Sequence, residues 1–93
     1  MVVSSQSWEL SLPGCRSLKE KRSIVRSLKD RLRAKFNVSV AETAFQDRVD
    51  RAQLSVALVA SDGRMAESVL DKTDRFVESH ADALIVRVIR DHH

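Results

Sequence analysis

Cysteine, proline, glycine and aromatic residues are all scarce in this chain, which has 93 residues but only one cysteine, one proline and two glycines. The single cysteine, Cys15, excludes an intrachain disulfide and any zinc site built on several cysteines, and it agrees with a reducing compartment. No apolar run approaches the roughly 18 residues of a membrane-spanning helix, and the first ten residues lack the features of a secretory signal. We therefore expect a cytoplasmic protein.

The length indicates one domain over residues 1–93, because a chain of this size supports a single core of two packed layers. The segment SSQS near the N-terminus is weakly apolar, so we expect residues 1–5 to be frayed. We expect residues 91–93 to be a short tail.

Acidic residues are nearly absent from one segment. From Arg16 to Lys35 the chain has nine basic and two acidic residues, a net charge of +7, whereas the rest has seven basic and 11 acidic residues, a net charge of −4. One basic element on a mildly acidic body steers a protein toward polyanions.

The hydrophobic pattern predicts four strands, over residues 2–12, 38–44, 52–61 and 83–89, and two helices, over residues 17–36 and about 64–80. The order β-α-β-β-α-β with right-handed crossovers is typical of the ferredoxin-like α+β sandwich, a four-stranded antiparallel sheet with both helices on one face. The second helix is expected to turn one face to the core: Met65, Val69, Thr73, Phe76 and Val77.

The first helix carries an apolar stripe and a basic ridge side by side. Ser17 and Glu20 have the spacing of a capping box, and Asn37 is a plausible left-handed stop. Lys21 falls inside the apolar sector, so its stem should lie on the sheet while its ammonium group reaches the helix edge. The stripe comprises Leu18, Ile24, Val25, Leu28, Leu32 and Phe36, and the ridge comprises Lys19, Arg22, Arg26, Lys29 and Arg33.

The motifs of the enzymes and metal carriers that share this fold are missing. An acylphosphatase needs a glycine-rich phosphate loop, but the first turn, LPGCRSL, has one glycine. A copper chaperone needs two cysteines close together. Cys15 precedes a helix among cations, which favours the thiolate, but no histidine is near in sequence to act as a base. His80, His92 and His93 lack the spacing of a metal site, and we expect a protein without catalysis or cofactor.

The basic ridge is the strongest functional signal. Arginines suit phosphate contacts, and the loop before the helix adds backbone N–H groups beside Arg16, so we predict that rRNA or a ribosomal subunit binds the following residues: Arg16, Lys19, Arg22, Arg26, Lys29 and Arg33. The central strands contain no aromatic residues on which bases could stack, so binding would be led by charge and shape. The alternative interpretation of the ridge is an ordinary solvated helix face.

A homodimer or another protein–protein contact is the alternative, with Trp8, Val38 and Val40 as apolar contact residues. The third functional hypothesis is a regulatory domain that binds a small molecule.

The stretch LPGCRSLKEKRSIVRSLKDRLRAKFNVSVAE, with Gln46-Asp47 and VLDKTDRFVES, resembles the YlxP-like family of small bacterial proteins of unknown function. The resemblance covers nearly the whole chain. It implies the same ferredoxin-like fold and a frequent genomic setting among translation and ribosome-maturation genes, which suggests a role linked to RNA. Phe45 and Val49 stand where that family usually has histidine and tryptophan, so a contact made there by other members is altered here.

Overall fold

One antiparallel sheet of four strands and two helices form the molecule, and the structure, a computed structural model, describes all 93 residues. The chain order is β-α-β-β-α-β, as predicted. The elements are β1 (Val2–Ser11), α1 (Leu18–Lys35), β2 (Ser39–Ala44), β3 (Arg51–Ala60), α2 (Gly63–Glu78) and β4 (Leu84–His92). No helix combines the length and apolar composition needed to cross a membrane.

The sheet has the strand order β2-β3-β1-β4, so β1 and β3 are central and β2 and β4 are edges. Every second residue of the central strands is buried, including Trp8 and Leu10 in β1 and Leu54 and Val56 in β3. Because alternate side chains of a strand point to opposite faces, these residues form one face of the sheet, and the helices cover it. The ferredoxin-like sandwich is thus confirmed.

Both helices bury a stripe of residues three or four apart, although the predicted stripes need correction. In α1, Val25, Leu28 and Leu32 are buried as expected, and Leu18, Ile24 and Phe36 are only half-buried. In α2 the buried stripe starts one residue later than predicted and leaves Met65 52% exposed. The buried residues of α2 are Ala66, Leu70, Thr73 and Val77.

The two chain ends are more ordered than expected. Ser4 and Gln6, in the segment predicted to fray, are fully buried, and β1 pairs with β3 from Val2 onward. The Ser4 hydroxyl lies 2.7 Å from Nδ1 of His92, and Gln6 binds Arg90. The predicted tail therefore extends β4 to His92, because its polar side chains satisfy the buried polar groups of β1.

The capping of α1 is only partly as predicted. The Ser17 hydroxyl accepts a hydrogen bond from the Glu20 N–H at 3.1 Å, which completes half of the capping box. The Glu20 carboxylate accepts from the Arg16 N–H at 3.0 Å and not from the Ser17 N–H. At the other end, the helix stops because Phe36 adopts an extended backbone, so the left-handed stop predicted at Asn37 is wrong.

Candidate nucleic-acid interface

Four cations of the predicted ridge lie along one side of α1 without an acidic partner. Lys19, Arg22, Arg26 and Lys29 make no salt bridge, and no side-chain hydrogen bond involves them. Lys19, Arg22 and Arg26 are exposed, and Lys29 is half-buried. At 1.5 Å per residue, the ridge from Lys19 to Lys29 extends about 15 Å. These four residues are called the α1 ridge below.

Arg33 does not belong to the α1 ridge, contrary to the prediction. Its guanidinium donates a hydrogen bond to the carbonyl oxygen of Val40 at 2.9 Å and lies 3.8 Å from the carboxylate of Asp30. Val40 is in β2, an edge strand, and its carbonyl points away from the sheet. Because an edge carbonyl has no strand partner, it binds the Arg33 guanidinium, which is therefore partly engaged within the chain although its side chain is 50% exposed.

The loop before α1 offers less to an anion than expected. The Cys15 N–H donates to the carbonyl of Leu12 at 3.1 Å, and the Arg16 N–H donates to the carboxylate of Glu20. These N–H groups are therefore occupied, and Glu20 places a negative charge at the helix N-terminus. The Arg16 guanidinium is exposed and has no acidic partner, so Arg16 remains only as a cation near the ridge.

Two acidic residues line the shallow groove beside the ridge, and each already has its own cation. Asp30 faces Arg33, and Glu42 lies 3.1 Å from the ammonium group of Lys21. Lys21 is buried with a side chain 2% exposed, so the sequence correctly placed it in the apolar sector but wrongly brought its charge to the surface. Since each of these acids pairs with a cation outside the ridge, neither neutralises the charge of the ridge.

Cys15 is not an activated nucleophile. Burial raises the pKa of the Cys15 thiol, and the nearby carboxylates of Glu20 and Asp82 raise the pKa further, while Lys21 only partly opposes them. The expectation that cations before the helix favour the thiolate is therefore wrong. Burial of the thiol, followed by the charge of Glu20 at the helix N-terminus, explains why the pKa is raised and not lowered.

We expect Cys15 in the folded protein to react with iodoacetamide severalfold more slowly at pH 8 than in the urea-unfolded chain, because the thiolate is the reactive form and folding disfavours it. Mass spectrometry of timed samples measures both rates. Equal rates in the two states, after correction for the effect of urea on a model thiol, would contradict this assignment.

His92, at the end of β4, is structural, which the sequence did not reveal. Nε2 of His92 contacts the carboxylate of Glu67, and Nδ1 of the same ring contacts the Ser4 hydroxyl. This serine–histidine–carboxylate chain has the composition of a hydrolase triad. Ser4 is 0% exposed, however, so its hydroxyl cannot reach a substrate, and the chain ties β4 to α2 and β1 instead.

Two of the three apolar contact residues predicted for a homodimer, Trp8 and Val40, are buried, and Val38 is half-buried. Trp8 is 0% exposed and Val40 is 6% exposed, because both lie on the face that the helices cover. The indole N–H of Trp8 donates to Asp74 of α2 at 2.8 Å. The exposed large apolar residues are concentrated instead on β4: Leu84, Val86, Val88 and Ile89.

Comparison with known proteins agrees with the resemblance seen in the sequence. The model of a family described as "Protein of unknown function (DUF503)" matches residues 3–90. The "Uncharacterized protein YlxP" of Bacillus subtilis (strain 168) is 36% identical over 63 residues, which are 68% of this chain and 68% of that protein. Both matches extend over most of the fold described above.

Proposed function

The chain belongs to the DUF503 family of proteins of unknown function, and we propose that it is an RNA-associated module that holds phosphate groups on the α1 ridge. The observation that supports this proposal is the absence of acidic partners around Lys19, Arg22, Arg26 and Lys29. A row of unpaired cations attracts a row of anionic groups, such as the phosphates of a nucleic-acid strand.

The second helix of the same chain shows what an ordinary solvated face looks like. Over Gly63–Glu78, α2 has three basic and four acidic residues, whereas α1 over Leu18–Lys35 has eight basic and two acidic residues. A helix that only needed solubility would mix charges as α2 does, because like charges three or four residues apart repel each other and destabilise the helix. The charge of α1 exceeds what solubility requires.

The mode of binding would be contact with the backbone of RNA and not with its bases. Trp8, the only aromatic residue within a strand, is buried under the helices, so the sheet offers no ring on which a base could stack. The ridge has four cations, so it can contact up to about four phosphates of one strand. An electrostatic contact of this size would give a slope of log K against log salt of about −3.

The test is a charge reversal of the ridge, Arg22→Glu/Arg26→Glu/Lys29→Glu. Arg33 is left intact because it holds β2. We expect the affinity for a fluorescent rRNA fragment, measured by anisotropy at low salt, to fall roughly 100-fold or more, because several phosphate contacts become repulsive, and the salt slope to approach zero.

The matched control reverses the exposed cations of α2, Arg64→Glu/Lys72→Glu/Arg75→Glu. This variant changes the net charge by the same amount, and none of these side chains makes a salt bridge. We expect its affinity to fall far less than that of the ridge variant. Equal losses in the two variants would mean that RNA responds only to net charge, and unchanged binding of the ridge variant would overturn the proposal.

A further inference from the structure

The two edges of the sheet are treated differently by the chain. On β2, side chains occupy both backbone carbonyls that point outward: Arg33 donates to Val40, and the Gln46 amide donates to Glu42 at 3.4 Å. Side chains that occupy an edge in this way prevent another strand from pairing with it. The outward carbonyls of the β2 edge are therefore blocked, which closes this edge to a strand that would donate to them.

The β4 edge has no such protection. The His93 N–H donates to the carbonyl of Val3 in β1 at 2.7 Å. Because backbone direction alternates along a strand, Val88, Arg90 and His92 must turn their N–H and C=O groups away from β1. No side chain and no other strand bonds to these groups.

The side chains of β4 are also more apolar than is usual for a strand exposed to solvent. Leu84 is 57% exposed, Val86 52%, Val88 43% and Ile89 40%. The exposed side chains of the closed edge β2 are small instead: Ser39, Ala41 and Thr43. A long apolar edge strand with unpaired backbone groups is a template for another strand.

We propose that a second copy of this chain covers the β4 edge, with the two β4 strands antiparallel about a two-fold axis at Ile89. In this register Arg87 of each copy lies directly opposite Asp91 of the other, on the face away from the helices. Val88 of each copy exchanges backbone hydrogen bonds with Arg90 of the other. The two sheets then form one sheet of eight strands.

The other registers pair the charged residues of β4 less favourably. Residues directly opposite each other on neighbouring strands must point to the same face of the sheet. This requires the two-fold axis to pass through a residue and not between two residues, and we consider the regular stretch 87–92. An axis at Arg87 or Arg90 places two arginines against each other, and an axis at Asp91 places two aspartates against each other. An axis at His92 places no carboxylate opposite Arg87. An axis at Val88 places Arg87 opposite Ile89, whereas the axis at Ile89 creates two pairs of opposite charge, and such pairs stabilise adjacent strands.

A charge exchange tests this register. Arg87→Asp places two acids opposite each other and Asp91→Arg places two arginines opposite each other, so we expect each variant to dimerise at least tenfold more weakly than the native chain in sedimentation equilibrium. An equimolar mixture of the two variants should form a heterodimer, because Asp at position 87 of one copy then meets Arg at position 91 of the other. The double variant should also recover the dimer.

Val88→Pro is the second variant. It removes an N–H that points away from β1, so the fold should survive, as circular dichroism can check, and the dimer should be lost. A native chain that is monomeric at about 100 µM, the concentration range where weak dimers form, would overturn the proposal. A dimer that tolerates Val88→Pro, or a β4 edge that binds only other proteins, would also overturn it. The ridge variant of α1 should still dimerise, which separates this result from any result with RNA.

Discussion

Replacing Lys21 by methionine should lower the free energy of unfolding by about 3 kcal/mol, because it leaves the carboxylate of Glu42 with no cation. The Glu42 side chain is only 19% exposed, so water can replace the lost ammonium group only in part. Lys21 also donates to the carbonyls of Phe45 and Gln46. Urea denaturation followed by circular dichroism measures the change.

The hairpin between β2 and β3 adds to the loss of stability expected for Lys21→Met. Phe45 is the only residue other than glycine with a positive φ, at 62°, and a left-handed residue with a side chain costs about 1–2 kcal/mol. The Lys21 ammonium group bonds to the carbonyl of that residue and holds the turn in place. Its loss should therefore loosen residues 45–50, which hydrogen exchange of their amides can detect.

The double variant Lys21→Met/Glu42→Leu separates the ion pair from simple packing. Replacing both partners of a buried pair by apolar residues is often neutral or stabilising, so we expect this variant to recover most of the lost stability. If it is as unstable as Lys21→Met alone, the cost arises from the hairpin contacts and not from the unpaired carboxylate of Glu42.

Most of the fold could be predicted from the sequence because its signals are local. Alternation in β1 and β3, the cap at Ser17 and the stripe on α1 each depend on neighbouring residues only. The location of Lys21 in the apolar sector was a correct local prediction. Its partner Glu42 was not predictable, since only the pairing of α1 with β2 brings these two residues together.

The polar start of β1 shows where local interpretation fails. Ser4 and Gln6 alternate in step with Trp8 and Leu10, so the period of a strand was present. Their polarity suggested fraying, because the side chains that satisfy them come from α2 and from the far end of the chain. A buried polar residue is acceptable only with its partner, and here the partners are 68 to 88 residues away.

The candidate interface also combines features set by neighbouring residues with features set by distant ones. Spacing of three and four residues correctly placed Lys19, Arg22, Arg26 and Lys29 on one side of α1. Arg33 has the same spacing, but the free carbonyl of an edge strand binds it. Which strand would be an edge, and which of its groups would point outward, depends on the topology of the sheet and is invisible along the chain.

Replacing Trp8 by alanine should lower the free energy of unfolding by about 3–5 kcal/mol, as expected for a large aromatic side chain removed from a closed core. Trp8 is 0% exposed, and its ring lies between the sheet and α2, where Asp74 accepts its N–H. Far-ultraviolet circular dichroism in urea is the suitable measurement, since this is the only tryptophan and its fluorescence is lost with the mutation.

The matched variant Trp8→Phe keeps most of the buried ring and removes the N–H, so it isolates the hydrogen bond to Asp74. We expect it to cost about 1–3 kcal/mol, because the half-buried carboxylate keeps only the Gln6 amide, at 3.2 Å, as a donor. If the bond to Asp74 causes the loss, Trp8→Phe should cost clearly less in an Asp74→Ala background than in the native chain, since the carboxylate that loses its donor is then absent. An undiminished cost there would show that the indole stabilises the fold by its volume alone, and that the link between β1 and α2 depends on apolar contact and not on this polar anchor.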